Sequence, residues 1–323
     1  MKELENVTPA GLVAGSTAAA DYIEAGISPA TRRAYASSWA RWASWAQRDG
    51  CPALPAGPED LVRWLAELAQ AGRRPSTIGR HMAALATLHR ARGLPSPTEH
   101  PALRALLRGI RRVHGTAPAQ AAPLLLADLG AILPTGPGLR AIRDRALVLV
   151  GWAGALRRSE LVGLTWGDVE PCREGLILHL RRSKTDQAGR GALVALPHGR
   201  SAARCPVELL EAWRQSWAGS RPEGIVMSGW PVFVGIDRWG RPGQVALSAR
   251  AVSTIVGELA ARAGLIGAYS GHSLRAGFCT SAAQAGVPER DIMAHSRHRS
   301  IASMRGYIRR GGLFLDHPAT RML

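Results

Sequence analysis

Lysine is almost missing from this chain. Of its 41 basic residues, 39 are arginine, and the two lysines are Lys2 and Lys184. The skew, with so much alanine and glycine, points to GC-rich coding, and it makes an interior lysine informative. Acids are scarce as well: 24 Asp and Glu leave a formal charge of +17. Such an excess most simply calls for a polyanionic partner, nucleic acid ahead of a membrane, the bland alternative being a solubility device or biased coding. The four cysteines, Cys51, Cys172, Cys205 and Cys279, are far apart and form no CxxC pair. That argues against a zinc site or a disulfide framework and for a reducing compartment. No stretch resembles a signal peptide, and no apolar run approaches the ~20 residues that span a bilayer. The expected location is therefore the cytoplasm. Internal repeats and low-complexity tracts are also missing.

What is present fits two domains, since 323 residues exceed the roughly 100–200 of a single one. Residues 1–27 are small and polar with weak periodicity, as in a flexible arm. Ser28-Pro29 then reads as an N-cap with proline in the first turn. Tyr35, Trp39, Trp42 and Ala46 follow at helical spacing, so the aromatic stripe is expected in a core rather than stacking on bases. A second helix opens after Pro58, a third spans about 77–92, and a fourth runs from Pro101 to about Val113. Four short helices predict an all-α bundle over residues 28–113. Arg32 and Arg33 on the first helix, and Arg73, Arg74 and Arg80 near a helix N-terminus, are candidate phosphate contacts. Residues 114–123, HGTAPAQAAP, read as a linker.

The second domain, 124–323, is predicted to be mainly helical with a small antiparallel sheet. GLILHLRR (175–182) and ALVAL (192–196) read as a hairpin carrying Lys184 at its tip. A short strand is expected in PVFV (231–234). Helices are expected over 127–133, 140–152, 206–217, 247–263, 272–285, 288–294 and 301–308, with a turn of helix around Ser159 and Glu160.

Transfer of a phosphodiester needs a nucleophile, cations on the equatorial oxygens, a base, and an acid for the departing oxygen. Arg157 and Arg275 offer guanidiniums that fork onto phosphate as ammonium cannot. His272 and Arg275 stand at i and i+3, on one helical face. Lys184 can donate a proton where arginine cannot. Taken singly, an HxxR pair, an arginine or a tyrosine would be unremarkable surface or packing; the conjunction in fixed order is specific.

In that order the residues resemble the tyrosine recombinase (phage integrase) family. GALRRSEL resembles its first box and places its arginine at Arg157; the SKTDQ turn matches its hairpin lysine at Lys184. HSLR matches its HxxR box, giving His272 and Arg275. HRSIASMRGY matches its last box, giving His298 and, nine residues on, Tyr307. Arg297 departs from the pattern, since glycine most often precedes that histidine in the family; a local backbone adjustment is expected there. The resemblance covers about residues 124–312 closely and the N-terminal bundle only in pattern and placement.

The resemblance implies a two-domain clamp on double-stranded DNA and a tetrameric synapse at a recombination site, with room for accessory DNA-bending or directionality proteins. It implies attack by Tyr307, a 3′-phosphotyrosyl link, and rejoining without ATP, metal or cofactor. Arg157 and Arg275 would hold the phosphate, Lys184 would act as acid, His272 as base, and His298 would hydrogen-bond the phosphate. Integration, excision and resolution all fit a mobile element or replicon. Two alternatives stay open at this point: a type IB-like topoisomerase and a non-catalytic basic DNA-binding protein.

Overall fold

Prolines open the helices of the N-terminal part of the chain. In the computed structural model, which describes residues 26–116, 121–181, 191–220, 227–298, 300–301, 304–306 and 322, α1 (Pro29–Asp49), α2 (Pro58–Gln70), α3 (Pro75–Ala91) and α4 (Pro101–His114) each begin on one. Proline at that position loses no hydrogen bond and brings its φ already set for a helix. For this reason α3 starts two residues before the expected Thr77. Ser28 caps α1 by accepting from the Thr31 N–H at 3.2 Å. Trp42 and Trp45 stack at 5.4 Å and Trp64 tilts against Trp42 at 5.2 Å. With Leu61, Leu65, Ile78 and Leu103 they form the core of this bundle.

The chain divides into two compact units, Met1–Ala119 and Gln120–Leu323. Residues 114–123 span the division point, and 117–120 lie outside the described residues. The arm expected over residues 1–27 lies outside them too, apart from its last two positions.

In the second unit α5 (Leu129–Ile132), α6 (Leu139–Ala153) and α7 (Arg158–Gly163) precede a three-stranded antiparallel sheet. Its strands β1 (Val169–Cys172), β2 (Gly175–Leu180) and β3 (Ala192–Pro197) lie in chain order. Val194 and Leu196 of β3 are buried while Leu193 and Ala195 are exposed, the period of two that a half-covered strand requires. Leu178 pairs with Val194 across the hairpin. Lys184 falls in the segment joining β2 to β3, outside the described residues.

α8 (Pro206–Ala218) packs against α6. Strands β4 (Val234–Ile236) and β5 (Pro242–Ala246) form a second small sheet. β4 begins at the end of the expected PVFV strand, because Val232 and Phe233 are fully buried in the core before the pairing starts. The helices α9 (Ala249–Arg262), α10 (Gly271–Gln284) and α11 (Glu289–Ser296) complete the described part. The helix expected over 301–308 lies mostly outside it.

The position of α10 is set by a backbone-to-backbone approach. A Cβ on Gly277 would stand 1.7 Å from the Leu124 carbonyl oxygen. The same oxygen accepts from the Trp152 indole of α6 at 2.8 Å, and the Leu124 N–H donates to the Ser273 carbonyl at 3.0 Å. α6 and α10 are thereby joined through residue 124, next to the turn that leads to Arg157.

Candidate active site

A turn, a helix start and a helix end build the site. After α6 the chain turns through Ala155, which holds a positive φ of 44° although it carries a Cβ. Arg157 then caps α7, and Glu160 in the first turn reaches back. Its carboxylate accepts from the Arg157 backbone N–H at 2.9 Å and from Nη1 at 2.6 Å. The Glu160 side chain is completely buried. Burial by itself raises its pKa, yet the Arg157 N–H, the Arg297 charge and the Arg157 side chain outweigh burial and leave it below the ordinary value.

Arg275 comes up from α10 and is 1 % exposed. Its Nη1 donates to the Ala155 carbonyl at 2.8 Å. Its Nη2 is buried with no hydrogen-bond partner among the described residues. An orphaned guanidinium nitrogen is costly, and burial together with the Arg157 charge lowers the Arg275 pKa to about 10. His272, one turn earlier, keeps surface open to solvent. Crowding still desolvates its ring, and with the charges of Arg275, Arg158 and Arg157 it lowers the imidazole pKa.

From the far side α11 ends in Ser296, Arg297 and His298. Arg297 is the second non-glycine residue with positive φ among those described, at 57°. Where a backbone adjustment is expected, the chain instead holds a left-handed C-cap, a conformation that glycine adopts freely. Its guanidinium donates to Glu160 at 3.0 Å and to the Ala155 carbonyl at 3.2 Å. His298 lies 2.6 Å from Ser296 Oγ, which is also 2.6 Å from the Ile292 carbonyl. A hydroxyl has one proton, so the neutral tautomer of His298 depends on which of the two receives it. Burial, then the charges of Arg275, Arg157, His272 and Arg297, lower the His298 pKa to about 3.

Four of the six residues expected from the sequence, Arg157, His272, Arg275 and His298, are therefore brought to one place, from sequence positions up to 141 apart. Lys184 and Tyr307 lie outside the described residues. Sequence reasoning missed three contributors: Glu160, the side chain of Arg297, and His295, which hydrogen-bonds the Ala153 carbonyl at 2.7 Å. Only Glu160 left a readable trace, its i+3 spacing from Arg157. Arg157 and Arg297 pair with Glu160, and Arg157 and Arg275, with two imidazoles held toward neutrality, form a receptor for an anion.

Elsewhere, a polar cleft in the first unit is lined by Arg41, Arg73, Arg74, Arg80 and His81. Arg32 and Arg33 are not part of its lining. His81 is buried with Nδ1 unpartnered among the described residues. At the β3–α8 joint, His198, Cys205 and Glu208 bring possible ligand atoms within 4.8 Å of one another. There the Cys205 sulfur already accepts the Gly199 N–H at 3.1 Å.

Comparison with known proteins shows the family. The phage integrase family model matches residues 128–311, and a phage integrase N-terminal SAM-like domain model matches 21–92. An integrase/recombinase xerD homolog of Selenomonas ruminantium is 34% identical over 298 residues, covering 90% of this chain and 85% of that protein. Recombinase cre of Escherichia phage P1 is 26% identical, covering 83% and 80%. Among solved structures, the XerH site-specific recombinase bound to palindromic difH substrate superposes with a TM-score of 0.60 at 16% identity. It covers 82% of this chain and 72% of that one. The chain belongs to the phage integrase family and is a tyrosine site-specific recombinase.

Proposed function

We propose that this recombinase cuts and rejoins double-stranded DNA through a covalent link to Tyr307. The observation that carries the reading is the buried, unpartnered Nη2 of Arg275 beside Arg157. A phosphodiester seated there would satisfy that nitrogen and neutralise the cationic excess. Tyr307 attacks the phosphorus, forming a tyrosyl–phosphate ester at the 3′ end and expelling the 5′ oxygen. Lys184 gives that oxygen its proton, and His272 accepts the proton of the phenol. His298 hydrogen-bonds a phosphate oxygen. The partner strand's 5′-hydroxyl then attacks the ester and releases Tyr307. One bond is exchanged for another of similar energy, so neither ATP nor a metal enters the balance.

The SAM-like bundle, with Arg73, Arg74 and Arg80 in its cleft, supplies contacts to the DNA backbone, and Arg32 and Arg33 are further candidates. Four protomers assemble on paired sites in the cytoplasm, where the chain serves a mobile element or replicon. The test uses a nicked suicide duplex built on the site that the wild-type chain selects from random-sequence DNA. Wild-type protein should become covalently attached, and Tyr307→Phe should not. Persistent attachment by the Phe variant would remove Tyr307 from its role. Lys184→Ala and Lys184→Arg should both slow cleavage; full rate in the arginine variant would mean that charge alone suffices.

A further inference from the structure

We infer that Arg297 is a positioning residue that sets the spacing of Arg157 and Arg275 on the scissile phosphate. The inference rests on the proposed role of those two arginines. Arg297 sits in the left-handed region, with φ 57° and ψ 40°. Glycine adopts that conformation freely, whereas any residue with a Cβ is strained there. The backbone at this position therefore favours glycine, and a long cationic side chain must be retained for what its far end does.

That far end is turned inward, with the side chain 14% exposed. Nη1 donates to the His295 carbonyl at 2.7 Å and to the Gly154 carbonyl at 3.3 Å. Nη2 donates to Glu160 at 3.0 Å and to the Ala155 carbonyl at 3.2 Å. The last two partners are each shared with one of the two arginines. Glu160 also holds Arg157 Nη1 at 2.6 Å, and the Ala155 carbonyl also holds Arg275 Nη1 at 2.8 Å. The Arg297 carbonyl in turn accepts Arg157 Nη2 at 3.3 Å. Arg297 thus ties the end of α11 to the two groups that hold the arginines in place.

A purely structural salt bridge would account for less. Glu160 already accepts twice from Arg157, and the carbonyls that Arg297 also binds carry no charge to be balanced. Ala155, whose carbonyl joins Arg275 to Arg297, is itself held at a positive φ of 44°. Strain at two neighbouring non-glycine residues, both directed at the same few atoms, is typical of a constellation held for chemistry. Arg297 does not have to touch the substrate to matter. A displacement of about 1 Å in a catalytic group can cost on the order of 100-fold in rate.

The test compares full-length Arg297→Gly and Arg297→Lys with wild type on the same nicked duplex. The glycine variant relieves the backbone strain but gives up a largely buried ion pair with Glu160, so its thermal midpoint should fall, and rates are compared well below it. Its DNA affinity should stay within about twofold, because the two arginines and the basic cleft remain. Its cleavage rate should fall by about 10- to 100-fold, and added methylguanidinium should restore part of that rate. Arg297→Lys should not rescue, because an ammonium cannot bridge Glu160 and two carbonyls in one plane. Wild-type cleavage by Arg297→Gly, or a rate loss unmoved by methylguanidinium, would overturn the inference. Tyr307→Phe run alongside keeps the two claims separate, since covalent capture by that variant would count against the nucleophile and not against Arg297.

Discussion

His298 stands among Arg157, Arg275 and Arg297, and burial together with these charges brings its pKa to about 3. Its value in the unfolded chain is near 6.5. Between those two values the unfolded chain binds a proton that the folded chain refuses, so unfolding gains as pH falls. Stability from this source is complete above about 6.5 and is lost as pH drops toward 3. His272, lowered by desolvation and by Arg275, Arg158 and Arg157, acts in the same direction. Buried Glu160, whose folded pKa is also depressed, adds to the loss only below its ordinary value of 4.5. The expected outcome is a thermal midpoint that falls between pH 6.5 and 4, and falls less in His298→Gln, which has no proton to take up. Parallel melting curves for the two proteins across that range would show that His298 is not held neutral. The same reasoning explains the burial of Glu160. Removing the acid would leave buried guanidiniums without their counter-charge, a change that typically costs about 3–5 kcal/mol.

At the scale of elements, α10 matters most, because it carries both His272 and Arg275. It lies against the backbone of residue 124 at Gly277, where a Cβ would meet the Leu124 oxygen at 1.7 Å. Neither side of that contact is a flexible side chain, so Gly277→Ala must shift the helix or residues 122–124. Overpacking of this kind costs about 1–3 kcal/mol. Gly79 on α3 is the control: a Cβ there meets nothing within 4 Å. Gly79→Ala should stabilise by about 0.5–1 kcal/mol through helix propensity. Urea midpoints of the two variants should therefore move in opposite directions, and Gly277→Ala should also slow cleavage. The helices of both units were legible in the sequence because prolines and Ser28 mark several starts and apolar residues recur at helical spacing. β1 was not, since VEPC is short and carries Pro171, which is tolerated there on an edge strand. β5, PGQVA, is likewise short and shows no buried position. Of the site, Arg157, His272, Arg275 and His298 were legible through their order and spacing. Arg297 and Glu160 are 137 residues apart, and no local pattern reports a left-handed residue whose side chain turns back to such a partner.

For the molecule as a whole, a formal charge of +17 on 323 residues makes the strength of any DNA complex depend on salt. Each phosphate neutralised releases condensed counterion, and the slope of log affinity against log salt is about −0.9 per contact on duplex DNA. Charge is not concentrated in the second unit alone. The first unit places Arg41, Arg73, Arg74 and Arg80 around one polar cleft, where Arg74 caps α3 and Pro75 begins it. A helix start with guanidiniums around it suits a phosphate, because free N–H groups and the helix dipole add to the side-chain charge. His81 responds to the same field: burial first, then Arg80, Arg41 and Arg73, lower its pKa. If this cleft takes a phosphate, Arg73→Ala and Arg74→Ala should each weaken binding about equally on selected and random duplexes. Each should also flatten the salt slope by about 1. Neither should change the cleavage rate once the protein is saturated with DNA, because the proposed holders of the reacting phosphate are Arg157 and Arg275. Fluorescence anisotropy between 50 and 300 mM salt, read beside single-turnover cleavage, separates the two functions. An unchanged slope in both variants would assign the cleft to solvent, and a fall in saturated cleavage rate would mean that the cleft and the reaction are coupled.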